Sequence, residues 1–168
     1  MPSDVIVIST VAGTGAISSA TDLTSRRVPN VVTLAVATLG ILFAIFHVTT
    51  VSLVGALAGF TVGLLLMMPG HVIGATGAGD VKLFAAIGTL LGPMHILTAF
   101  AYTAICGGAL ALFVAVRRGR LEQTLQDTAT LVTSAGANIQ HIERPTANNR
   151  FAYAPAIAVG TLVAALGF

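Results

Sequence analysis

Two aspartates, Asp22 and Asp80, are the residues whose type and placement could do chemistry in this chain. Each stands at the end of an apolar run, and Asp80 follows the glycine-rich stretch GATGAG at residues 74–79. Two carboxyl groups that share a site do not both ionise easily, so such a pair would hold one proton near neutral pH. The ionised group could then deprotonate a water while the protonated group hydrogen-bonds a carbonyl oxygen, which is acid–base hydrolysis.

The composition indicates what kind of element must position these acids. Hydrophobic residues make up 55% of the 168 residues, charged residues 8%, and the mean hydropathy is +0.93, whereas about a quarter of a soluble domain is charged. This indicates an all-α, polytopic membrane protein. The net charge of +2 comes from arginines beside apolar runs, so no nucleic-acid partner is expected. The single cysteine, Cys106, cannot form a disulfide framework or a four-cysteine zinc site, and no metal or cofactor is expected.

The apolar runs predict about six membrane segments in one domain that covers residues 1–168. The runs are residues 5–21, 31–49, 51–69, 83–92, 94–116 and 151–168. The loop at 117–150 is the one extended polar region, and Leu121, Leu125, Ala129 and Val132 recur in it at helical spacing. That spacing predicts a helix lying at the membrane surface, which would cover the site or contact a partner, or simply belong to a solvated connector.

The arginines predict the orientation of the segments. They follow the first run, follow the fifth and precede the sixth, at positions Arg26, Arg27, Arg117, Arg118, Arg120, Arg144 and Arg150. By the positive-inside rule these connections are cytoplasmic, which puts both termini outside and the loop before Asp80 inside. Asp22 and Asp80 are then the only acids at segment ends on the cytoplasmic side, and they can meet there.

The fourth segment is too short to cross a membrane alone. Residues 79–92 number fourteen, or about 21 Å of helix, against a hydrocarbon core of about 30 Å. If Gly92-Pro93 reaches the outer interface, Asp80 lies below the cytoplasmic surface, where an ionisable residue indicates function. The glycines that precede Asp80, among them Gly77 and Gly79, suit irregular backbone that lines a cavity or approaches a substrate closely.

Three motifs together resemble the prepilin peptidases, which are polytopic aspartic proteases of the GxGD class. The motifs are GAGD at residues 77–80 followed by VKL, the earlier D…RRVPN at Asp22 and residues 26–30, and YAPAIAVG at residues 153–160. They occur in the right order and cover the chain end to end. The length and the single cysteine look most like the small enzymes of the tight-adherence (Flp) pilus systems, which lack the methyltransferase domain.

The resemblance implies a function and a place for it. The enzyme would be a multi-pass protein of the bacterial inner membrane that removes the short basic leader from a Flp-type prepilin, with the lipid bilayer as its other partner. Asp22 and Asp80 would be the catalytic pair. Because the prepilin leader is cytoplasmic, the cut would be made at the cytoplasmic interface while the pilin helix docks laterally.

The neighbouring residues have structural as well as functional interpretations. Arg26 and Arg27 are expected to anchor the topology first and to contact substrate or lipid second. Pro29 and Asn30 are expected to form a turn or helix start. Lys82 would either act on the acid pair or extend to the membrane interface.

Purely structural roles and other functions stay open for the two acids. Asp22 could be a solvated helix-terminal acid paired with Arg26, and Asp80 could be the N-cap of the fourth segment. An ion-coupled transporter would need both acids near the middle of their spans. A non-enzymatic component of a pilus or secretion assembly would tolerate asparagine at both positions.

Overall fold

The fold is all-α, as the composition predicts. The computed structural model describes residues 2–25, 28–72, 76–117 and 153–167, and no strand occurs among them. The helices are α1 Pro2–Ser25, α2 Asn30–Ile45, α3 Leu53–Val72, α4 Ala78–Arg117 and α5 Ala154–Leu166. Arg26, Arg27, Gly74 and the interfacial helix expected in the 117–150 loop, apart from Arg117, lie outside the described residues.

The chain falls into two compact units. The first combines Met1–Gly107 with Ala152–Phe168, and the second is Gly108–Phe151. Both acids belong to the first unit. In the described part of the second, the guanidinium of Arg117 lies 5.3 Å from the ring centroid of Phe113.

The helix α4 is broken at Gly92, where the sequence predicts the boundary between the fourth and fifth segments. Gly92 has φ 73° and ψ 176° inside an otherwise helical stretch. Glycine adopts a positive φ without the steric penalty of a side chain, and Pro93 lacks the N–H that would continue the hydrogen-bond ladder. Because the helix resumes directly after the break, the described residues form five helices, whereas the sequence predicts about six segments.

Within the described part of the chain, three helices are long and apolar enough to cross a membrane, namely Asp4–Ser25, Leu53–Val72 and Ala78–Val114. The helices α2 and α5 are apolar but shorter. Large apolar side chains are exposed on the outer faces of α1, α2 and α3, among them Val5, Ile17, Val31, Leu34, Val54 and Leu65. Exposed apolar area of this extent is typical of a membrane protein. The count of six crossings and the outside location of both termini stay predictions.

The first half of α4 is the centre of the first unit. Residues 83–92 are all buried, and a helix that is apolar and buried on every side is surrounded by protein. The most deeply buried large side chains include Leu83, Phe84, Ile87, Leu90 and Leu91. The start of this half carries Asp80, so the core of the fold fixes the position of that acid.

Small residues allow the helices to approach this centre closely. A Cβ on Gly59 of α3 would collide with the carbonyl oxygen of Gly88 in α4, and one on Gly63 would lie 3.1 Å from the Cα of Ala85. Such small-residue contacts are typical of helix packing in membranes. Similar contacts join Gly40 to Thr89, Gly15 to Ala158 and Gly160 to Thr103.

Candidate active site

Asp22 lies on the buried face of α1, in its last turn. Val7, Val11, Thr14, Ser18 and Asp22 recur at helical spacing and are all buried. Asp22 is only 7% exposed. This excludes the alternative in which Asp22 is a solvated acid at a helix end. Its Oδ2 accepts a hydrogen bond of 3.2 Å from the backbone N–H of Ala154.

Asp80 is the third residue of α4 and is 8% exposed. Its Oδ2 accepts a hydrogen bond of 3.1 Å from the backbone N–H of Gly77, the residue that precedes the helix. A side chain at the third position that reaches back to the N-cap amide is half of a capping box. Asp80 therefore caps α4 from inside the helix, and the N-cap position suggested from the sequence belongs to Gly77.

The two carboxyl groups share one region of the first unit. Asp22 and Asp80 lie close enough for their charges to interact, and each has one oxygen held by a backbone N–H. That the ends of α1 and α4 meet on one side of the membrane stays a prediction.

The segment that starts α2 packs against the start of α4. A Cβ on Gly79 would lie 3.2 Å from the Cβ of Val28 and 3.4 Å from its backbone nitrogen, which leaves space for glycine alone without a shift. Pro29 follows in an extended conformation as the N-cap residue of α2, which confirms the helix start expected there. Next to it, Nζ of Lys82 donates a hydrogen bond of 3.2 Å to Oδ1 of Asn30.

These contacts place most of the residues predicted to shape the site close to Asp80. Gly77, Gly79, Lys82, Pro29 and Asn30 all lie at the junction of α2 and α4. Lys82 is exposed, and its hydrogen bond is to Asn30 rather than to either acid.

Sequence reasoning missed the contribution of the start of α5. The sequence marks Tyr153 only as the first residue of the YAPAIAVG motif, whereas in the structure it is half-buried and lies close enough to Asp80 for that carboxyl group to act on its hydroxyl. A Cβ on Gly107 would lie 2.6 Å from Cε2 of the tyrosine ring and 3.1 Å from its hydroxyl oxygen. The available signal was a tyrosine near the start of the apolar run at 151–168, which is predicted to begin on the same side as both acids.

The arrangement suits general acid–base chemistry. Two buried carboxyl groups that interact can act as the acid and the base of one reaction. Among the described residues, no three His, Cys, Asp or Glu side chains are grouped as metal ligands.

Comparison with known families gives one match, to the type IV leader peptidase family over residues 10–112. The matched range contains Asp22, Asp80 and every residue at the junction of α2 and α4, and it ends before Tyr153. No curated protein and no solved structure matches the chain. The family match covers more than half of the 168 residues, so this chain belongs to the type IV leader peptidase family and is a prepilin leader peptidase, a hydrolase of the aspartic type.

Proposed function

We propose that this chain cuts the short basic leader from Flp-type prepilins at the cytoplasmic face of the bacterial inner membrane, with Asp22 and Asp80 as the catalytic pair. The observation that carries the proposal is the pair itself, since two acids far apart in sequence are both buried and lie within reach of each other's charge. Ionisable residues buried in a membrane protein indicate function by default. Each acid has one backbone partner, which orients a carboxyl group without neutralising its charge.

The reaction follows from one proton shared by two carboxyl groups. The ionised group takes a proton from a water whose oxygen attacks the scissile carbonyl carbon. The protonated group hydrogen-bonds the carbonyl oxygen, and a proton is passed to the leaving nitrogen as the carbon–nitrogen bond breaks. Water supplies both the new carboxyl oxygen and the proton, so no covalent enzyme intermediate forms.

The location of the acids favours a cut at the membrane surface. Asp22 lies in the last turn of α1 and Asp80 in the first turn of α4, so both stand at the ends of apolar helices. The arginine-rich connections of the sequence make these ends cytoplasmic under the positive-inside rule. A prepilin enters the membrane with its basic leader on that side, and its apolar helix would dock laterally against the bundle.

The same placement disfavours an ion-coupled transporter. Carrier sites of that class lie near the bilayer midplane, where helices are interrupted. The interruption of α4 is at Gly92, whereas Asp80 is twelve residues earlier along the chain, and Asp22 is terminal. The cleavage experiment described next distinguishes proteolysis from a non-enzymatic role in pilus assembly.

The test is cleavage of a Flp-type prepilin by the purified protein in lipid vesicles, with Asp22→Asn and Asp80→Asn beside the wild type. Asparagine keeps the size and an acceptor oxygen but cannot serve as the base, so both variants should insert into the membrane and leave the substrate uncut. Asp4→Asn, at the other end of α1, is the matched control and should cut normally. The proposal would be refuted if the wild type left prepilin uncut or if either active-site variant cut it normally.

A further inference from the structure

Tyr153 brings a third functional side chain to the acid pair. The hydroxyl end of its ring lies over Gly107, 3.1 Å from the position of a Cβ there, and the residue lies within range of the charge of Asp80. The next residue, Ala154, donates its backbone N–H to Asp22. The N-cap residue of α5 and the first residue of that helix therefore lie near the acids, Tyr153 within range of the charge of Asp80 and Ala154 in a hydrogen bond to Asp22.

We infer that the Tyr153 hydroxyl donates a hydrogen bond to the scissile carbonyl oxygen of the bound prepilin and stabilises the negative charge that develops on it. This inference rests on the proposed function, because it needs Asp22 and Asp80 to hold the attacking water. The phenol keeps its proton throughout, so the hydrolysis needs no additional acid or base.

The chemistry of the two acids would benefit from an additional hydrogen-bond donor. Two carboxyl groups that share one proton offer a single O–H to the substrate, and the other group must stay ionised to activate water. A tetrahedral intermediate gains most from donors that are already oriented in a partly dry site. Phenol is a neutral donor near pH 7, so it can lie beside a carboxylate without adding a second negative charge.

Two features keep the tyrosine oriented. Glycine at position 107 lets the ring lie directly against the backbone of α4. The backbone of Tyr153 accepts hydrogen bonds from the N–H groups of Ala156 and Ile157, at 3.0 and 3.2 Å, so it is fixed as the first carbonyl of α5. The side chain is half-buried, which leaves part of it accessible to a substrate.

The alternative is that Tyr153 only packs against Gly107. Tyr153→Phe separates the two roles, because phenylalanine keeps the ring and removes only the hydroxyl. The matched control is Tyr102→Phe, since Tyr102 is the one other tyrosine of the chain and is exposed.

The first measurement is steady-state cleavage of prepilin in vesicles over a range of pH. Tyr153→Phe should lower kcat by about 10- to 100-fold with little change in KM, as expected on losing a donor that acts in the transition state. The pH limits of activity should stay in place, because the acid pair is intact. Tyr102→Phe should match the wild type. A normal kcat for Tyr153→Phe, or an altered KM alone, would overturn the inference.

The second measurement does not need catalysis. Because the chain has two tyrosines and no tryptophan, a Tyr102→Phe background reports on Tyr153 alone through the ultraviolet absorbance of tyrosinate. Adding Asp80→Asn should lower the pKa of Tyr153, since a nearby carboxylate disfavours the phenolate. Adding Asp4→Asn should leave it unchanged. An equal titration with and without Asp80 would mean that the two side chains do not face each other.

The two sets of results separate this inference from the proposed function. If the wild type cuts prepilin, the aspartate variants do not, and Tyr153→Phe is fully active, only the tyrosine is wrongly assigned. If the wild type leaves prepilin uncut, the function and the inference both fall.

Discussion

The backbone N–H of Ala154 donates a hydrogen bond to Oδ2 of Asp22 across 3.2 Å. Ala154 is the first residue of α5, and the first N–H groups of a helix have no partner inside it. A carboxyl group is a favourable partner there, because the N-terminus of a helix carries partial positive charge. Asp22 thus ties the end of α1 to the start of α5 in addition to its proposed catalytic role.

This hydrogen bond predicts different stabilities for two substitutions of the same acid. Asp22→Asn keeps an oxygen that can accept from Ala154, whereas Asp22→Ala leaves a buried N–H without a partner, which costs about 1–3 kcal/mol. We expect both variants to lose cleavage and only Asp22→Ala to unfold at a clearly lower temperature. Circular dichroism of the protein in detergent micelles measures the midpoints. Equal midpoints would show that the hydrogen bond does not stabilise the fold.

The contact between Gly79 and Val28 predicts a loss of activity from a single methyl group. In Gly79→Ala the new Cβ would lie 3.2 Å from the Cβ of Val28, so one of the two segments must move. Asp80 is the next residue, and a small displacement of a catalytic group can cost up to about 100-fold in rate. We expect kcat for prepilin cleavage to fall by about 10-fold or more.

Gly13→Ala is the matched control for that substitution. Gly13 lies within α1, and a Cβ there would meet no atom of the described residues within 4 Å. Alanine is the better helix former by about 0.5–1 kcal/mol, so this variant should be as active as the wild type and at least as stable. Equal activity of the two alanine variants would refute the role of the Gly79 contact.

Much of the fold could be predicted from the sequence because apolar runs and glycine–proline pairs act locally. The low charge content indicates helices in a membrane, and Gly92-Pro93 is the position where α4 breaks. The number of helices does not follow from these local signals, because a chain can resume its helix directly after a kink. Whether a kink also separates two crossings depends on the surrounding bilayer, which local sequence does not describe.

The positive-inside rule predicts that Asp22 and Asp80 lie on one side of the membrane, but it does not predict their hydrogen-bond partners. The partners of their Oδ2 atoms are backbone N–H groups that any residue could supply. The position of Tyr153 depends on how α5 packs against Gly107. Such packing between distant segments leaves little trace in one sequence.

Lys82 and Asn30 are predicted to couple weakly. Their hydrogen bond of 3.2 Å joins two exposed side chains, and exposed interactions of this kind contribute less than about 1 kcal/mol. In a double-mutant cycle of Lys82→Met and Asn30→Ala, we expect the two losses of stability to be less than additive by about 0.5 kcal/mol. Thermal unfolding of the four proteins measures this coupling. Strict additivity would contradict a direct contact, and a coupling of several kcal/mol would contradict its exposed setting.

The approach of α3 to α4 predicts the most destabilising small substitution. Gly59 and Gly88 meet backbone to backbone, so a methyl group on either would collide with the carbonyl oxygen of the other. The first half of α4 cannot yield easily, because residues 83–92 are buried on all sides. We expect Gly59→Ala and Gly88→Ala each to lose about 1–3 kcal/mol, the usual cost of overpacking, as measured by the midpoint of unfolding in detergent. Gly108→Ala is the control, since a Cβ there meets no described atom within 4 Å. If Gly59→Ala and Gly108→Ala have the same midpoint of unfolding, α3 does not pack this closely on α4. The position of Asp80 would then lack the rigid support that a defined pair of acids requires.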